Sequence, residues 1–553
     1  MKKYLFFVLI VCLSFSVLLF GEGVQYGGTL WYGDDDGQLA FNLNPFYTNV
    51  LDTVSLIYEP LGYINEQNGD VTPLLGVSYE WEDNNLELIV TTRKDVKWSD
   101  GIPFTARDVA FTFNYIKAYP ALDLNGIWSP ILNLQSVEAS GDNTVIFKFS
   151  KPSVSAFYYI YSQQVIVPEH IWSKIENPVS YTNPNPVGTG PFLFKDFSSA
   201  LNRVTAVKNP NYWMKGHPYV DEVIYQSYES DSAVLLNLLS GNIQWTSLNV
   251  PNVKQMWIDK NPTTNLIWWL PVANREIAFN TQKYPFNNPI FRRALNLAIN
   301  KEEISSRVYY GMVGLPNPTG ISPTQANGWT DPTLKASITE ALSYDPSKAI
   351  DLLASIGFKK NAAGQLCGPD GKPLPTFSIL TESWTDGTAI CQIVANDLKQ
   401  IGINAVVQIE GGGAYTNALQ LGYFDMAYTW EQGVGPSPYY TYFMAFDPTF
   451  SATAIGKPAL ADYCRYTNPL ITAALEIYNS TTDLHLQKQA IYTIERIVLE
   501  DMPFIAITQR ETTTEFSGAK FTGWPTNENP YVGRAALFDV GAAELVAMNV
   551  HLK

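Results

Sequence analysis

The sequence predicts an α/β protein built from more than one domain. The chain has 553 residues, which is long enough for two or three domains with cores of their own. Segments in the first half alternate apolar and polar side chains, as half-buried strands do. From about residue 280, helical stripes alternate with strands. This alternation is typical of a mainly parallel sheet with flanking helices.

The first elements along the chain are short strands. Residues 27–32 predict a strand, and the Gly-Asp-Asp-Asp-Gly run at 33–37 ends it. This acidic cluster lacks the alternating ligands and the terminal Glu of a calcium-binding loop, so a solvated turn is predicted. Residues 86–91 and 145–150 each place apolar side chains on one face. Both are predicted to be half-buried strands.

Helices are predicted from caps and apolar stripes. In the first half, Thr105 and Asp108 have the spacing of a capping box, and the helix continues to Ile116. The second half contains three further signals: an i, i+3, i+4, i+7 stripe, N-cap residues, and glycines that end helices. The predicted helices there are one from Phe291 to Ala298, one capped by Asn300, one over 346–356 and one over 390–401, followed by a strand at 404–409.

The amino terminus predicts export. Lys2 and Lys3 precede an apolar run over residues 5–20, and the small residues Gly21 and Gly23 suit a signal-peptidase site. The alternative is a membrane anchor, but the run is shorter than the roughly 20 residues that a span needs. We therefore expect a signal peptide over residues 1–23 and a mature protein that is soluble, periplasmic or otherwise extracytoplasmic.

Composition excludes several classes of protein. Hydrophobic residues make up 46% and charged residues 16% of the chain, so it is not intrinsically disordered. The formal net charge of −16 makes nucleic acid an unsuitable partner. The mature cysteines are Cys367, Cys391 and Cys464, which allows one disulfide or three free thiols.

Catalytic and metal-binding motifs are missing from the sequence. The four histidines are not spaced as metal ligands, and no HExxH, GxSxG or phosphate-binding GxxxxGK[ST] motif occurs. No metal site and no cofactor is predicted. Paired carboxylates for a glycosidase remain possible among the many acidic residues. The sequence gives no positive indication of an enzyme.

Several motifs, taken together and in this order, resemble the bacterial extracellular solute-binding proteins of family 5, which include oligopeptide and dipeptide receptors. The signature block is Arg93–Val109, preceded by Tyr58-Glu59-Pro60-Leu61. The further matches are Val187–Phe192, Asn209–Trp213, Ala278–Asn280, Phe291–Leu295 and Phe424-Asp425. The resemblance covers about residues 55 to 430. It implies a receptor, not an enzyme, that delivers its ligand to the membrane permease subunits of an ABC importer and acts as a monomer.

The resemblance also implies the architecture. Two α/β lobes joined by a hinge would close over the ligand. Lobe I would comprise 24–275 plus 510–553, with an inserted subdomain at about 71–185, and lobe II would comprise 276–509. The residues of the signature block are expected to shape a turn and a helix start in the inserted subdomain, not to contact ligand.

The ligand class depends on the segment after Trp430. Peptide-binding members of the family hold the peptide ammonium with an aspartate shortly after a tryptophan of the second lobe. Here Val434 and Gly435 stand about where that aspartate is expected, although Glu431 could replace it. An ammonium buried without a counter-charge is strongly penalised. This favours a neutral oligosaccharide and leaves an oligopeptide as the alternative.

Surplus tryptophans supply the other argument for a sugar. Pyranose rings pack their C–H faces on flat aromatic rings, and Trp31, Trp384 and Trp430 are predicted where strands end in loops. Trp268 and Trp269 point to opposite sides of a strand, so at most one faces the cleft. For any single tryptophan, core packing is the competing interpretation. The candidate ligand-binding residues are Trp31, Trp128, Trp245, Asn249, Trp268, Trp384, Trp430 and Glu431.

Overall fold

The structure is a computed structural model that describes residues 24–48, 50–248, 252–452 and 454–553. The predicted signal peptide and Asn249 lie outside the described residues. Mixed α/β structure surrounds one ten-stranded sheet. The three described cysteines are free and buried. No helix in the described part of the chain is both long and apolar enough to cross a bilayer.

Twenty strands form the sheets of the described chain. In chain order they are β1 Thr29–Asp34, β2 Gly62–Ile64, β3 Val71–Pro73, β4 Gly76–Glu82, β5 Glu87–Thr92, β6 Leu134–Ala139, β7 Thr144–Phe149, β8 Phe192–Ser198, β9 Arg203–Lys208, β10 Glu222–Ser227, β11 Trp245–Thr246, β12 Asn265–Phe279, β13 Lys359–Lys360, β14 Leu366–Cys367, β15 Phe377–Glu382, β16 Ala405–Glu410, β17 Met426–Trp430, β18 Phe504–Ser517, β19 Phe521–Thr522 and β20 His551–Leu552.

The α-helices flank these sheets, with short 3₁₀ turns between them. They are α1 Ala106–Ala118, α2 Ala156–Tyr158, α3 Glu169–Trp172, α4 Asp231–Leu239, α5 Val253–Met256, α6 Pro289–Ala298, α7 Lys301–Val308, α8 Ala326–Trp329, α9 Lys335–Leu342, α10 Pro346–Ser355, α11 Thr385–Gln400, α12 Gly412–Leu421, α13 Pro438–Phe446, α14 Pro469–Ser480, α15 Leu484–Asp501 and α16 Ala542–Asn549.

Local sequence signals explain where several helices begin. The Thr105 side chain accepts from the Arg107 N–H, and Asp108 accepts from the Thr105 N–H, so the predicted capping box is confirmed. Asn300 caps α7 and Asp345 caps α10 through the backbone N–H groups of Glu303 and Lys348. These side chains satisfy amide donors that the first turn of a helix leaves without partners.

The large sheet has the order β16-β15-β17-β12-β18-β11-β1-β10-β9-β8. Only four of its nine neighbouring pairs are parallel, so the predicted mainly parallel sheet is wrong and the sheet is mixed. Parallel pairs occur in two separate groups, β16-β15-β17 and β11-β1-β10. The long antiparallel strands β12 and β18 lie between these groups and connect them.

The pair β12 and β18 is the connection between the two lobes. β11 pairs with β18 at residues 515 and 516, whereas β17 pairs with β12 only from Arg275 onward. Register shifts at Pro271/Ala273 and Arg275/Glu276 interrupt the ladder between these regions. Bulges bend a strand pair locally. The boundaries predicted at 275/276 and 509/510 fall inside these strands, and the division into lobes at those residues stays a prediction.

A second sheet, with the order β4-β5-β7-β6, lies within the predicted inserted subdomain, and α1 packs on β6 and β7. This part of the chain touches the other lobe. The Ser155 N–H donates to Asn479 Oδ1 at 3.0 Å, and the Tyr440 hydroxyl donates to the Ser155 carbonyl at 2.9 Å. The lobes therefore meet at a rim as well as at the two connecting strands.

Candidate functional site

Strand direction identifies the edges that face each other between the lobes. β1 runs parallel to β11, and β11 runs antiparallel to β18, which begins in the second lobe. The carboxyl ends of β1 and β11 therefore point toward that lobe. From the other side, β15 and β17 run parallel to each other, and β17 is antiparallel to β12. Their carboxyl ends point back toward the first lobe, so the two edges enclose a cleft.

The edge of the first lobe contains a cavity of about 660 Å³. We call it the lobe I cavity. Carboxylates, amides and hydroxyls line it together with apolar side chains. The polar residues are Asp34, Asp36, Asp52, Asn125, Gln163, Gln164, Ser247, Thr48 and Ser55. A cavity of this size with many convergent acceptors and donors suits a polar ligand of more than one unit.

The carboxylates of the lobe I cavity are partly withdrawn from water. Asp34 accepts a hydrogen bond from the Tyr32 hydroxyl at 2.7 Å and another from the Asp35 N–H at 2.9 Å. Its burial raises the pKa of the carboxyl to about 7. The predicted solvated turn at 33–37 is therefore wrong at Asp34, because β1 continues through that residue and its side chain is buried.

Asp52 is the second perturbed acid of the cavity. Burial raises the pKa of its carboxyl well above the usual value, and the nearby carboxylates of Asp36 and Asp34 raise it further. Asp52 Oδ2 has no hydrogen-bond partner in the described part of the chain. A buried acceptor without a partner is costly. A ligand hydroxyl that donates to this oxygen would remove that cost.

The edge of the second lobe is aromatic. Trp430 is the last residue of β17, and Trp384 precedes the first turn of α11. Their ring centroids lie 5.2 Å apart with the planes tilted by 54°. Tyr415 packs edge-on against Trp384 at 5.2 Å. Both tryptophans are half-buried. We call Trp384 and Trp430 the aromatic pair.

Glu431 follows the aromatic pair but faces into the protein. It is 6% exposed, and Oε2 accepts from the Asn274 N–H at 2.7 Å, while the Asn274 side-chain amide donates to both carboxyl oxygens. Burial raises the pKa of Glu431, as does the neighbouring Glu276. Its oxygens are engaged in connecting β17 to β12. These hydrogen bonds give Glu431 a structural role, and its contact with ligand stays a prediction.

Trp245 and Trp268 are core residues. Trp245 is fully buried, and its indole N–H donates to the Ala535 carbonyl at 2.8 Å. Trp268 is 4% exposed, and its N–H donates to the Gly533 carbonyl at 2.5 Å. Apolar burial and satisfied donors explain both side chains without a ligand. They were candidates because the sequence pattern does not show how deeply a tryptophan side chain is buried.

Trp31 and Trp128 also have partners within the protein. Trp31 lies inside β1 opposite Ile224, not after the strand, and it packs on the cluster that includes residues of α4 and α5. The Trp128 N–H donates to the Phe113 carbonyl at 2.7 Å, and Lys117 lies 3.8 Å over its ring. Among the candidate residues that the structure describes, Trp384 and Trp430 are the two whose side chains it brings together at the cleft edge.

Sequence reasoning missed the polar residues of the lobe I cavity and also Arg510 of β18. The guanidinium carbon of Arg510 lies 5.0 Å from the centre of the Trp430 ring. One face of Trp430 is therefore covered by a cation. The acidic run at 34–36, which begins at the last residue of β1, was a usable sequence signal for the cavity. Arg510 carries no sequence signal, since nothing in the pattern shows what surrounds it.

The chemistry of the described residues is that of binding. Across residues 24–48, 50–248, 252–452 and 454–553, no group of three or more His, Cys, Asp or Glu side chains is arranged to hold a metal ion. The lobe I cavity offers hydrogen-bond acceptors and donors, and the aromatic pair offers apolar ring surface. Such a pairing can hold a ligand with both polar groups and apolar faces.

Comparison with known proteins identifies the family. Residues 70–452, well over half of the chain, match the family described as Bacterial extracellular solute-binding proteins, family 5 Middle. The chain belongs to this family. The prediction from the motifs is confirmed, and so is the two-lobed α/β fold. Family 5 proteins are transport receptors, and this one is a substrate-binding receptor of an ABC importer.

Relatives of this family 5 protein differ in their ligands. The oligopeptide-binding protein AppA of Bacillus subtilis is 25% identical over 491 residues, covering 87% of this chain and 86% of AppA. A periplasmic oligopeptide-binding protein of Thermotoga maritima, solved with mannohexaose bound, is 28% identical with a TM-score of 0.73, covering 95% of this chain and 98% of the other. The structure of AppA with a nonapeptide has a TM-score of 0.67 at 23% identity, covering 96% and 100%.

Proposed function

We propose that this family 5 receptor captures an oligosaccharide between its lobes and delivers it to the membrane permease subunits of an ABC importer. The observation that carries the proposal is the difference between the two edges of the cleft. One edge has the carboxylates and amides of the lobe I cavity, and the other has the aromatic pair. An oligosaccharide needs both, because its hydroxyls require polar partners and its C–H faces pack on rings.

The Thermotoga maritima relative supports this choice. Its structure holds mannohexaose, and at 28% identity over 95% of the present chain it shares more than a general fold. Most of a hexaose consists of hydroxyls and ring faces, which are the groups that the two edges of the cleft can contact.

An oligopeptide is the second candidate. It is supported by AppA, which matches along 86% of its own length. The residue that the resemblance offered as a counter-charge for the peptide ammonium is Glu431, and both of its oxygens are engaged by Asn274. A peptide would have to place its ammonium elsewhere, for example in the lobe I cavity. This is the reason for ranking the oligosaccharide first.

The cellular setting follows from the same proposal. Residues 1–23 would be removed as a signal peptide, and the mature protein would act as a monomer in the periplasm or another extracytoplasmic compartment. Ligand would favour the closed arrangement of the lobes by binding it more tightly than the open one. Nucleic acid is not a proposed partner, and no catalytic step is proposed.

A thermal-shift screen followed by calorimetry tests the proposal. The probes are mannohexaose, other neutral glucan and xylan hexaoses, a nonapeptide and glutathione, each with the mature protein. At a concentration 100 times its Kd, a ligand adds about 2.7 kcal/mol to the free energy of unfolding. We expect at least one saccharide to raise the melting temperature and to be recovered unchanged. Tight peptide binding with no saccharide response contradicts the proposal, and cleavage of the saccharide indicates the glycoside-processing alternative.

A further inference from the structure

Three arginines lie near the strands that connect the lobes, and they differ in their partners. Arg275 donates to Glu511 at 2.9 Å and lies 3.5 Å from Asp386. Arg534 donates to both oxygens of Glu66, at 2.8 and 3.1 Å, and lies 3.3 Å from Asp539. Each of these two guanidinium groups therefore has two carboxylate partners.

Arg510 lacks such compensation. Its backbone pairs with Ala273 in the ladder of β12 and β18. Within the described ranges its side chain forms no ion pair and no hydrogen bond, and the guanidinium lies over the ring of Trp430. The carboxylate of Glu511 belongs to the next residue along β18, but it already binds Arg275. Burial lowers the pKa of Arg510 below its usual value, and the positive charge of Arg275 lowers it further.

The position of Arg510 makes this lack of a partner relevant to binding. It lies opposite Ala273, beside the first register shift of the connecting strands. Its guanidinium lies over the ring of Trp430, one member of the aromatic pair at the edge of the cleft. An arginine keeps its charge at neutral pH, and a half-buried charge without a counter-ion is unfavourable. Closure of the lobes would remove water from this group and increase that cost.

We infer that Arg510 is a specificity-determining residue that binds a carboxylate of the ligand, with Trp430 holding its guanidinium in the plane needed for a two-point contact. A planar guanidinium donates two parallel hydrogen bonds to a carboxylate. The ligand would then carry at least one acidic group near the aromatic pair, in contrast to the wholly neutral ligand expected from the sequence. The remainder of the ligand would still meet the lobe I cavity.

Two sources can supply this carboxylate. One is a uronic acid unit of an oligosaccharide, which rests on the proposed function and deepens it. The other is the carboxyl terminus of a peptide, which belongs to the second candidate. Paired probes separate the sources: oligogalacturonate against its methyl ester, and a nonapeptide with a free against an amidated carboxyl terminus. Within each pair, only the carboxylate charge is removed.

Calorimetry on the mature wild-type protein and on Arg510→Gln tests the inference. We expect one acid probe to bind the wild type at least tenfold more tightly than its neutral partner, the scale of a lost partner in a buried charge pair. In Arg510→Gln that preference should disappear. Arg510→Lys keeps the positive charge but cannot donate two parallel hydrogen bonds to one carboxylate. It should therefore retain part of the preference for the acid probe. Arg107→Gln removes an exposed guanidinium from the inserted subdomain and is the matched control.

The outcomes are distinct from those of the proposed function. Equal wild-type affinity for acid and neutral partners, or no binding of any of the four probes, overturns the inference. An equal loss of both affinities in Arg510→Gln, with an unchanged melting temperature, overturns it as well. A preference for the free peptide carboxylate without any saccharide binding supports Arg510 while rejecting the oligosaccharide. If Arg510→Gln fails to fold, the affinities of the wild type for each acid probe and its ester or amide are still compared. Equal affinities within both pairs overturn the inference.

Discussion

The two edges of the cleft differ in chemistry although both are formed by the carboxyl ends of parallel strands. The edge of lobe I is acidic and amide-rich, and two of its acids, Asp34 and Asp52, are withdrawn from water. The edge of lobe II is aromatic, and its rings are held by each other, by Tyr415 and by Arg510. The same topological position can therefore supply polar or apolar contacts, and a ligand that spans the cleft must satisfy both.

Removing the aromatic pair should have the largest effect on binding. Trp430→Ala removes a ring surface and also the support of Arg510, so affinity should fall about five- to thirtyfold, in line with roughly 1–2 kcal/mol per stacked ring. Trp384→Ala should weaken binding less, since that ring touches Trp430 but not Arg510. Calorimetry with the best saccharide from the screen measures both.

Trp81→Ala is the matched control for these variants. Trp81 lies on β4 of the inserted subdomain, where it packs on Phe149 at 5.4 Å. Its replacement should lower the melting temperature without changing affinity. If Trp81→Ala and Trp430→Ala weaken binding equally, the aromatic edge has no special role.

The acidic edge should determine how stability depends on pH. In the folded protein the pKa of Asp34 is about 7, above the ordinary value of 3.8. Between these values the folded state holds a proton that the unfolded state has released, so the free energy of unfolding falls as pH rises and levels off above about 7. Asp462 and Glu495, also raised to about 7, act in the same direction.

Asp34→Asn isolates the contribution of this edge. Denaturant unfolding at pH 5 and pH 8 should show a wild-type decrease that is smaller in the variant, by on the order of 1–2 kcal/mol. The corresponding exposed change, Asp142→Asn, should leave the decrease as in the wild type. An unfolding free energy that increases between pH 5 and pH 8 in the wild type would contradict the assignment.

Sequence patterns predicted elements better than they predicted the site. The Asp345 side chain accepts from the backbone N–H of a residue three positions later, at the start of α10. Both partners of this cap are local, so the sequence alone predicts it. The mixed sheet was missed because strand direction at β12 and β18 depends on where a distant segment returns. The core positions of Trp245 and Trp268 could not be predicted locally, because the carbonyl partners of both indoles lie near 533–536, far along the chain. Arg510 was missed for the same reason. Whether its guanidinium has a carboxylate partner depends on residues that are distant in sequence.

A third change tests the acidic edge directly. Asp52→Ala removes a carboxyl whose Oδ2 lacks a partner and which lies near Asp34 and Asp36. Saccharide affinity should fall about fivefold, the equivalent of one hydrogen bond of roughly 1 kcal/mol. Stability should change in the opposite direction, because the variant no longer buries a repelled carboxylate. We expect the melting temperature at pH 8 to rise by on the order of 2 °C.

Asp142→Ala is the control for that experiment, since its side chain is 69% exposed and lies 3.8 Å from Arg107 in a surface ion pair. It should change neither affinity nor melting temperature appreciably. A decrease in both quantities for Asp52→Ala would show that the carboxyl serves the fold and not the ligand, and the acidic edge would then lose one of its proposed contacts.

The smallest effect on binding is expected at Glu431. A substitution there tests whether the lobe II edge contacts the ligand through its rings alone or also through a charged group. Glu431→Gln keeps one oxygen, which can accept from the Asn274 N–H. The variant replaces the other oxygen, which in the wild type accepts from the Asn274 side-chain amide, with an NH₂ group. The unfolding free energy should fall by about 1 kcal/mol, because one buried hydrogen bond is lost and the new NH₂ group faces the NH₂ group of Asn274. Saccharide affinity should stay within about twofold of the wild type, since an engaged carboxyl makes no contact with ligand. Calorimetry and denaturant unfolding on the same preparation measure both quantities. A loss of affinity on the scale of Trp430→Ala, with stability retained, would instead place Glu431 in the ligand contact that the sequence suggested.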